Sequence, residues 1–254
     1  MSAWSRWAII LVALGLWLGI LGGCAAPGVD EKSRATKAAE SNAQLGAEYM
    51  RKGRNDIAME KLQRALRQDP HLPSAHHFIA VLYDRLGQSD LADKHFVKAV
   101  RLDPKNPRLQ NNYGQYLCRH KEYHEAEKRF MAAVNDPLYD DKHVAYTNAG
   151  LCAQRSGTTG KVERYFRRAL TTQPNFAPAL FQMTKLSYER GEYLEARGYL
   201  DRYRKVAPVN ASILWLGVQV EKALGDQDAA ASYALRLRAA YPNTVEAKRL
   251  KEGK

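Results

Sequence analysis

Small and large apolar residues recur at a fixed spacing from Ala39 onward. The first small position of each unit is Gly46, Ala80, Gly114, Gly150, Thr184 and Val218. The second is Ala58, Ala92, Ala126, Val162, Ala196 and Ala230. A large residue follows four positions later, at Leu62, Phe96, Phe130, Phe166, Leu200 and, weakly, Ala234. Two helices can approach closely only where small residues face each other, so the pattern predicts pairs of packed antiparallel helices.

Prolines and glycines divide these helix pairs at regular intervals. Six prolines, at 70, 104, 137, 174, 208 and 242, are separated by 34, 33, 37, 34 and 34 residues. Glycines at 53, 87, 157, 191 and 225 recur between the two helices of a pair, where Lys121 takes their place once. A period of about 34 residues is typical of tetratricopeptide repeats (TPR). The predicted fold is all-α: a right-handed TPR superhelix of six helix-turn-helix repeats.

The six repeats fill most of the chain. They are predicted at 39–72, 73–106, 107–142, 143–176, 177–210 and 211–244, with two additional residues in the third. Residues 245–254 are predicted to form a polar capping segment, which the end of a repeat array requires. The first helices of the hairpins are expected to line a concave groove.

The N-terminus has a different pattern. Residues 8–21 form an apolar run of 14, which is short for a membrane span and fits the core of a secretory signal. Leu21-Gly22-Gly23-Cys24 resembles a bacterial lipobox. We therefore predict a signal peptide over 1–23 and a covalent lipid on Cys24. The alternative is a plain signal anchor that carries a cysteine by chance.

Residues 24–38 are small and polar, without a hydrophobic period, and are predicted to be a flexible lipidated tether. Ala25, in the place where an aspartate often retains such proteins at the inner membrane, favours the outer membrane. The expected location is therefore the periplasmic face of the outer membrane, where the lipid anchors the chain.

Composition and motifs exclude several classes of function. The net charge of +12 permits an anionic partner, but a lipoprotein export signal argues against nucleic acid. Phosphate-binding loops, nucleophile elbows and zinc-protease motifs are absent from the sequence. We expect no enzyme activity and no cofactor other than the lipid on Cys24.

Four arginines occupy position 13 of successive repeats: Arg51, Arg85, Arg119 and Arg155. A guanidinium group presents a planar fork of donors suited to carboxylates, so these residues are candidates for binding an acidic partner. The alternative is a solvated helix end, where a cation interacts favourably with the helix dipole.

The groove is predicted to carry further candidates for partner binding. Asn111 stands at position five, where the carboxylate clamp of chaperone-cofactor TPR domains is incomplete because no repeat supplies a lysine. Phe181, Tyr188 and Trp215 fall on groove positions of the last two repeats. Exposed aromatic residues in a concavity are candidate hot spots. The alternative is that these three residues pack on the C-terminal cap.

Cys118 and Cys152 fall near the ends of neighbouring first helices. We favour a disulfide between them, because disulfides form in an oxidising periplasm. It needs Cα atoms roughly 4.4–6.8 Å apart, whereas packed helices lie about 8–10 Å apart, so the helix ends must converge. Together with His120 and His124 the two cysteines are also a loose match to a zinc site, but turns and helix starts often collect histidines, and we predict no metal.

Four segments point beyond a generic repeat array: NNYGQYLC at 111–118, HEAEKRF at 124–130, AAVNDPLY at 132–139 and NAGLC at 148–152. Together with the lipobox and six repeats, they resemble the PilF/PilW family of type IV pilus biogenesis lipoproteins.

The resemblance implies a pilotin, which helps the type IV pilus secretin to reach the outer membrane and multimerise there for pilus assembly. It also implies two partners, the secretin and the lipoprotein-sorting machinery. The alternative is a TPR lipoprotein scaffold for β-barrel assembly or peptidoglycan synthesis. A wall hydrolase would need catalytic residues that the sequence does not offer.

Overall fold

The computed structural model describes residues 29–253, and this range is helical with no strand. The predicted all-α class is confirmed. The thirteen helices of the range are α1 (Val29–Arg51), α2 (Asn55–Gln68), α3 (Pro73–Arg85), α4 (Ser89–Leu102), α5 (Pro107–Arg119), α6 (Tyr123–Val134), α7 (Lys142–Arg155), α8 (Thr159–Thr172), α9 (Ala177–Glu189), α10 (Tyr193–Val206), α11 (Ala211–Ala223), α12 (Gln227–Ala240) and α13 (Val245–Lys251). The predicted signal peptide and Cys24 lie outside the described residues. None of the helices in the described range is long and apolar enough to cross a membrane.

The chain divides into two compact units, residues up to Leu82 and residues from Tyr83 onward. The described part of the first unit contains α1, α2 and most of α3. The second unit contains the end of α3 and α4 to α13. Odd-numbered helices up to α11 are the first helices of hairpins, and even-numbered helices are the second.

Within each hairpin, the turn between the helices needs a residue with left-handed backbone geometry. The predicted turn glycines adopt it, with φ of 74° to 78°. Lys121 takes the same conformation at φ 67°, although it carries a side chain. A left-handed residue with a Cβ costs roughly 1–2 kcal/mol, so the turn geometry overrides the local preference of Lys121.

The two helices of a hairpin interlock through a small residue on the first and a large one on the second. A methyl group added to Gly150 would lie 2.5 Å from the Phe166 ring, and one added to Gly114 would lie 2.8 Å from the Phe130 ring. The glycine–ring contact therefore fixes how closely the helices approach.

The last repeat uses the same interlock in a shifted register. Gly217 faces Tyr233, whose ring lies 2.7 Å from where a Cβ of Gly217 would be. The sequence pattern marks Gly217, Val218 and Ala234 as packing positions of this least regular repeat, but assigns the small role to Val218 and the large one, weakly, to Ala234, and that assignment is wrong by one residue. Both partners move by one residue, so the separation along the chain between the small and the large residue is unchanged.

The predicted flexible tether needs a correction, because α1 begins at Val29 and includes residues 29–38. Thr36 donates a hydrogen bond to Asp69 at 3.2 Å, and Asn42 donates one to Gln68 at 2.8 Å. These contacts attach α1 to the end of α2. The physical reason is composition, since Ala, Glu, Lys and Arg of this segment are good helix formers even without a hydrophobic period.

The C-terminal segment forms a short helix, α13, which packs on α11 and α12. Thr244 caps its first turn by accepting a hydrogen bond from the Ala247 amide at 3.4 Å. Ala247 is fully buried, while Lys248 and Arg249 are exposed. The helix thus covers the apolar side of the last hairpin with its own small residue and presents charge to solvent.

The additional residues of the third repeat lie in the loop 135–141 between α6 and α7. Tyr139 is buried against Ala133, Val134 and Ala145, whereas Leu138 is 87% exposed. The loop is therefore anchored by its tyrosine.

We predict that Gly150→Ala destabilises the protein by about 1–3 kcal/mol, because the added methyl group overpacks the contact with Phe166. The matched control is Gly198→Ala in the interior of α10, where a Cβ would meet no atom within 4 Å. That control should raise stability by roughly 0.5–1 kcal/mol through helix propensity. Chemical denaturation of both variants checks the pair, and equal effects would contradict the interlock.

We also predict a pH-dependent stability from His77 in the first unit. Burial lowers the pKa of His77 from 6.5 to about 4. The unfolded chain therefore binds a proton that the folded chain does not between those two pKa values, and stability falls as the pH drops through this window. The expected loss is about 2 kcal/mol between pH 8 and pH 5.

Denaturation curves of the wild type and His77→Leu across this range measure the effect as a difference. His77→Leu should be less sensitive to pH than the wild type, and His71→Leu, at an exposed histidine of the same unit, is the control. Parallel curves for wild type and His77→Leu would rule the titration out.

Candidate partner-binding surface

The four arginines of position 13 lie at the hairpin turns. Arg51, Arg85, Arg119 and Arg155 are the last residues of α1, α3, α5 and α7, and all four are exposed. A cation at this place interacts favourably with the carbonyl end of the helix. Their position fits the alternative interpretation, in which they stabilise helix ends, at least as well as a role in binding.

Arg119 also has a partner within the protein. Its guanidinium lies 2.5 Å from the Asp84 carboxylate, and the His120 ring lies 3.1 Å from the same group. Asp84 belongs to the end of α3, so the contact joins successive first helices in the second unit. Arg119 is therefore engaged in an internal ion pair.

Asn111 is buried rather than presented to a partner, which corrects its assignment as a groove contact. Its side-chain oxygen accepts a hydrogen bond from Asn148 at 3.0 Å, and its amide donates to Asn112 at 3.3 Å. Only 4% of Asn111 is exposed. The residue links α5 to α7 because a buried amide must satisfy its hydrogen bonds.

The aromatic candidates are half-buried, and two of them pack on the next first helix. Phe181 and Tyr188 of α9 pack against a cluster that includes Leu216 and Val220 of α11. Much of their apolar area is therefore used inside the protein. Trp215 on α11 is also half-buried.

A shallow groove nevertheless remains across α7, α9 and α11. It has a volume of about 340 Å³ and is lined by Thr147, Leu151, Phe181, Gln182 and Ser212 of these helices, among others, with Tyr203 of α10 beside them. Apolar side chains with a few polar groups are the composition of many small binding sites. Phe181 therefore packs against the core cluster of α11 with part of its side chain and lines the groove with the rest.

Cys118 and Cys152 form a disulfide between the ends of α5 and α7, with their Cα atoms 5.8 Å apart. The two helices therefore converge at this end. Because the two sulfur atoms are bonded to each other, neither cysteine is a free thiolate that could bind zinc together with His120 and His124. Across residues 29–253, no group of three or more His, Cys, Asp and Glu side chains is arranged to hold a metal.

A second cavity, of about 240 Å³, lies beside Cys152. Its charged groups are already paired, because Glu127 accepts hydrogen bonds from Lys161 at 2.7 Å and from Tyr165. Burial raises the pKa of Glu127, but the hydrogen bonds from Lys161 and Tyr165 outweigh it, so that the pKa lies below its usual value. These contacts join α6 to α8 and are structural.

The second helices carry an ion-pair network that sequence reasoning missed. Glu163 of α8 pairs with Arg167 at 2.5 Å and with Arg190, and Arg167 reaches Glu195 of α10 at 2.8 Å. Hydrogen bonds from Arg190 and Arg167 lower the pKa of Glu163. Arg197 of α10 similarly pairs with Glu221 of α11, which is only 4% exposed. The signal for this network lies in the register of the second helices, where charged residues recur beside the apolar ones.

Three family models match this chain, all described as tetratricopeptide repeat, over residues 73–106, 95–128 and 185–244. The type IV pilus assembly protein PilF of Pseudomonas aeruginosa is 32% identical over 238 residues, which cover 94% of both chains.

Two solved structures of similar sequence have the same fold. The structure of Pseudomonas aeruginosa PilF matches with a TM-score of 0.77 and 33% identity, over 87% of this chain and 99% of that one. The structure of PilW, described as a widely conserved type IV pilus biogenesis factor, matches with a TM-score of 0.75 and 32% identity, over 84% of this chain and 97% of that one. At lower identity, 16%, the TPR protein YrrB shares the fold with a TM-score of 0.56.

We predict that loss of the disulfide destabilises the protein by about 4 kcal/mol, since the bridge closes a loop between residues 34 apart in the chain. Denaturation with and without reductant measures the effect. The double variant Cys118→Ser/Cys152→Ser is the control, because it should match the reduced wild type and not respond to reductant. Identical midpoints for oxidised and reduced wild type would refute the bridge.

Proposed function

Since this chain belongs to the PilF/PilW family of type IV pilus biogenesis proteins, we propose that it is a lipid-anchored pilotin of the type IV pilus secretin. In this role it binds the secretin and promotes its localisation and multimerisation in the outer membrane. The observation that carries the proposal is the 32% identity to PilF along 94% of both chains.

The architecture is consistent with a binding scaffold. The relatives are pilus biogenesis proteins built from the same repeats, and this chain is a scaffold of that kind rather than an enzyme. In the second unit, the groove across α7, α9 and α11 offers Phe181 and Leu151 as apolar contacts and Gln182 as a polar one. A groove of this composition suits a short secretin segment that presents an apolar side chain.

The proposed anchor would hold the first unit close to the membrane. Helix α1 begins at Val29, so only residues 25–28 separate it from Cys24. Four residues span at most roughly 14 Å when fully extended. A short spacer of this kind would keep the first unit at the membrane surface, so that a secretin bound by the chain would be tethered to that surface.

The proposed mechanism is that the anchored chain holds secretin protomers at the membrane surface. When each secretin protomer is held near the same surface, its encounter with other protomers resembles an intramolecular event at raised effective concentration. Assembly of the multimeric pore is thereby favoured without chemistry by the scaffold. The lipoprotein-sorting machinery would deliver the acylated chain.

The direct test is the state of the secretin in a strain that lacks this chain. Membranes are fractionated and run on gels without heating. We expect detergent-resistant secretin multimers to disappear and monomers to remain at the inner membrane. Unchanged outer-membrane multimers would reject the pilotin role, and co-purification with barrel-assembly or peptidoglycan-synthesis components would then favour those machineries as the client.

The anchor has its own prediction, which concerns Cys24→Ala. This variant should keep the helical circular dichroism spectrum, because the described fold begins at Val29, but should leave the membrane fraction and mislocalise the secretin multimers. Ala26→Ser, which retains the thiol of Cys24, is the control. Normal outer-membrane multimers with Cys24→Ala would show that the lipid is dispensable.

A further inference from the structure

Basic residues recur in one register on the second helices of the second unit. Lys98 of α4, Arg168 of α8, Arg202 of α10 and Arg236 of α12 occupy equivalent positions, and Ala132 fills that position on α6. We name Lys98, Arg168, Arg202 and Arg236 the basic ladder. Because each repeat is placed on its neighbour by a similar rotation and translation, residues in one register lie along the same side of the array.

The basic ladder is not neutralised within the protein. Lys98, Arg168 and Arg236 are exposed, and Arg202 is half-buried. In the part of the chain that the structure describes, none of the four has a carboxylate within 4 Å. Acids on the same helices as Arg168 and Arg202 pair with other cations: Glu163 and Glu195 with Arg167, and Asp201 with Arg204.

Two ladder arginines are instead held by neutral groups. The Arg168 guanidinium lies 5.8 Å from the centre of the Tyr146 ring and 3.5 Å from its hydroxyl. Arg202 lies 5.6 Å from the centre of the Tyr199 ring and donates to the Pro174 carbonyl at 2.5 Å. These contacts fix the side chains without cancelling their charge.

We propose that the basic ladder docks the second helices onto an anionic phospholipid surface. The cations are distributed over four helices at intervals of one or two repeats and do not converge on a cleft, which suits a broad layer of headgroups. Each Lys or Arg near such a surface strengthens binding roughly fivefold.

Two further observations favour a membrane over an acidic protein segment. Leu235, beside Arg236, is 64% exposed, and Val97, beside Lys98, is 37% exposed, so apolar side chains accompany the charges as they do in interfacial helices. The chain before Val29 also carries the proposed lipid site at Cys24. The proposed anchor serves here only to place the chain at a membrane. Docking of the basic ladder does not depend on the secretin.

The test uses residues 25–254, a chain without signal peptide or lipid, and measures sedimentation with vesicles. This part contains every described helix, and the solved PilF and PilW structures, which have the same fold, match 87% and 84% of this chain. Vesicles of phosphatidylglycerol and phosphatidylcholine in equal amounts are compared with pure phosphatidylcholine. We expect binding only to the anionic vesicles, and weaker binding at higher salt.

The ladder variant Lys98→Gln/Arg168→Gln/Arg236→Gln should lose roughly a hundredfold in vesicle affinity, about fivefold for each charge. Arg202 is left in place because its hydrogen bond to Pro174 supports the fold. The matched control, Lys52→Gln/Arg155→Gln/Lys222→Gln, removes three exposed basic residues outside the register and should retain most of the affinity.

Equal affinity for the two kinds of vesicle, or an equal loss in the ladder and control variants, would overturn the proposal. Binding of a poly-glutamate peptide, but not of anionic vesicles, would assign the basic ladder to an acidic protein and overturn it too. Because the assay contains neither lipid anchor nor secretin, its failure would leave the pilotin proposal standing, and loss of the pilotin proposal would not affect the vesicle result.

Discussion

The contact between a glycine on one helix and a large side chain on the next is the constraint on which the rest of this structure depends. A single methyl group at Gly150 or Gly114 would intrude on the ring of Phe166 or Phe130. In the hairpins built on these glycines the two helices are therefore close together, and the large residue fills the space that remains. Dense packing of this kind leaves little room for alternative arrangements, so each hairpin can act as a rigid block for its neighbours.

Much of the fold was predictable because the repeat constrains the chain at several levels at once. The turn glycines, the helix-ending prolines and the small and large positions all point to the same hairpin, and agreement between such signals specifies a unique structure. The sequence pattern misplaced the interlock of the last repeat, where Gly217 and Tyr233 take roles that it assigned one residue later. It also missed the helical nature of residues 29–38, since helix propensity alone, without an apolar period, produces no pattern.

The candidate binding residues were harder to predict, because a register shows which residues are equivalent but not which contacts they make. Arg119 and Asn111 were correctly placed on first helices, yet each is used by a neighbouring helix, through Asp84 and Asn148 respectively. Phe181 likewise divides its surface between the core and the groove. Side chains from other repeats decide whether a residue at a given register position is available to a partner. The pattern within one repeat carries no information about those side chains.

The disulfide between α5 and α7 has a consequence for how the second unit comes apart. A stack of hairpins that touch only their neighbours tends to fray from its ends, one block after another. The bridge between Cys118 and Cys152 joins two successive hairpins covalently, so neither of them can detach from the other when fraying reaches it from either side. The backbone amides of α5 to α8 should therefore exchange their hydrogens more slowly than those of the other helices in the second unit. A peptide bound in the groove, which begins at α7, would contact this slowly opening segment.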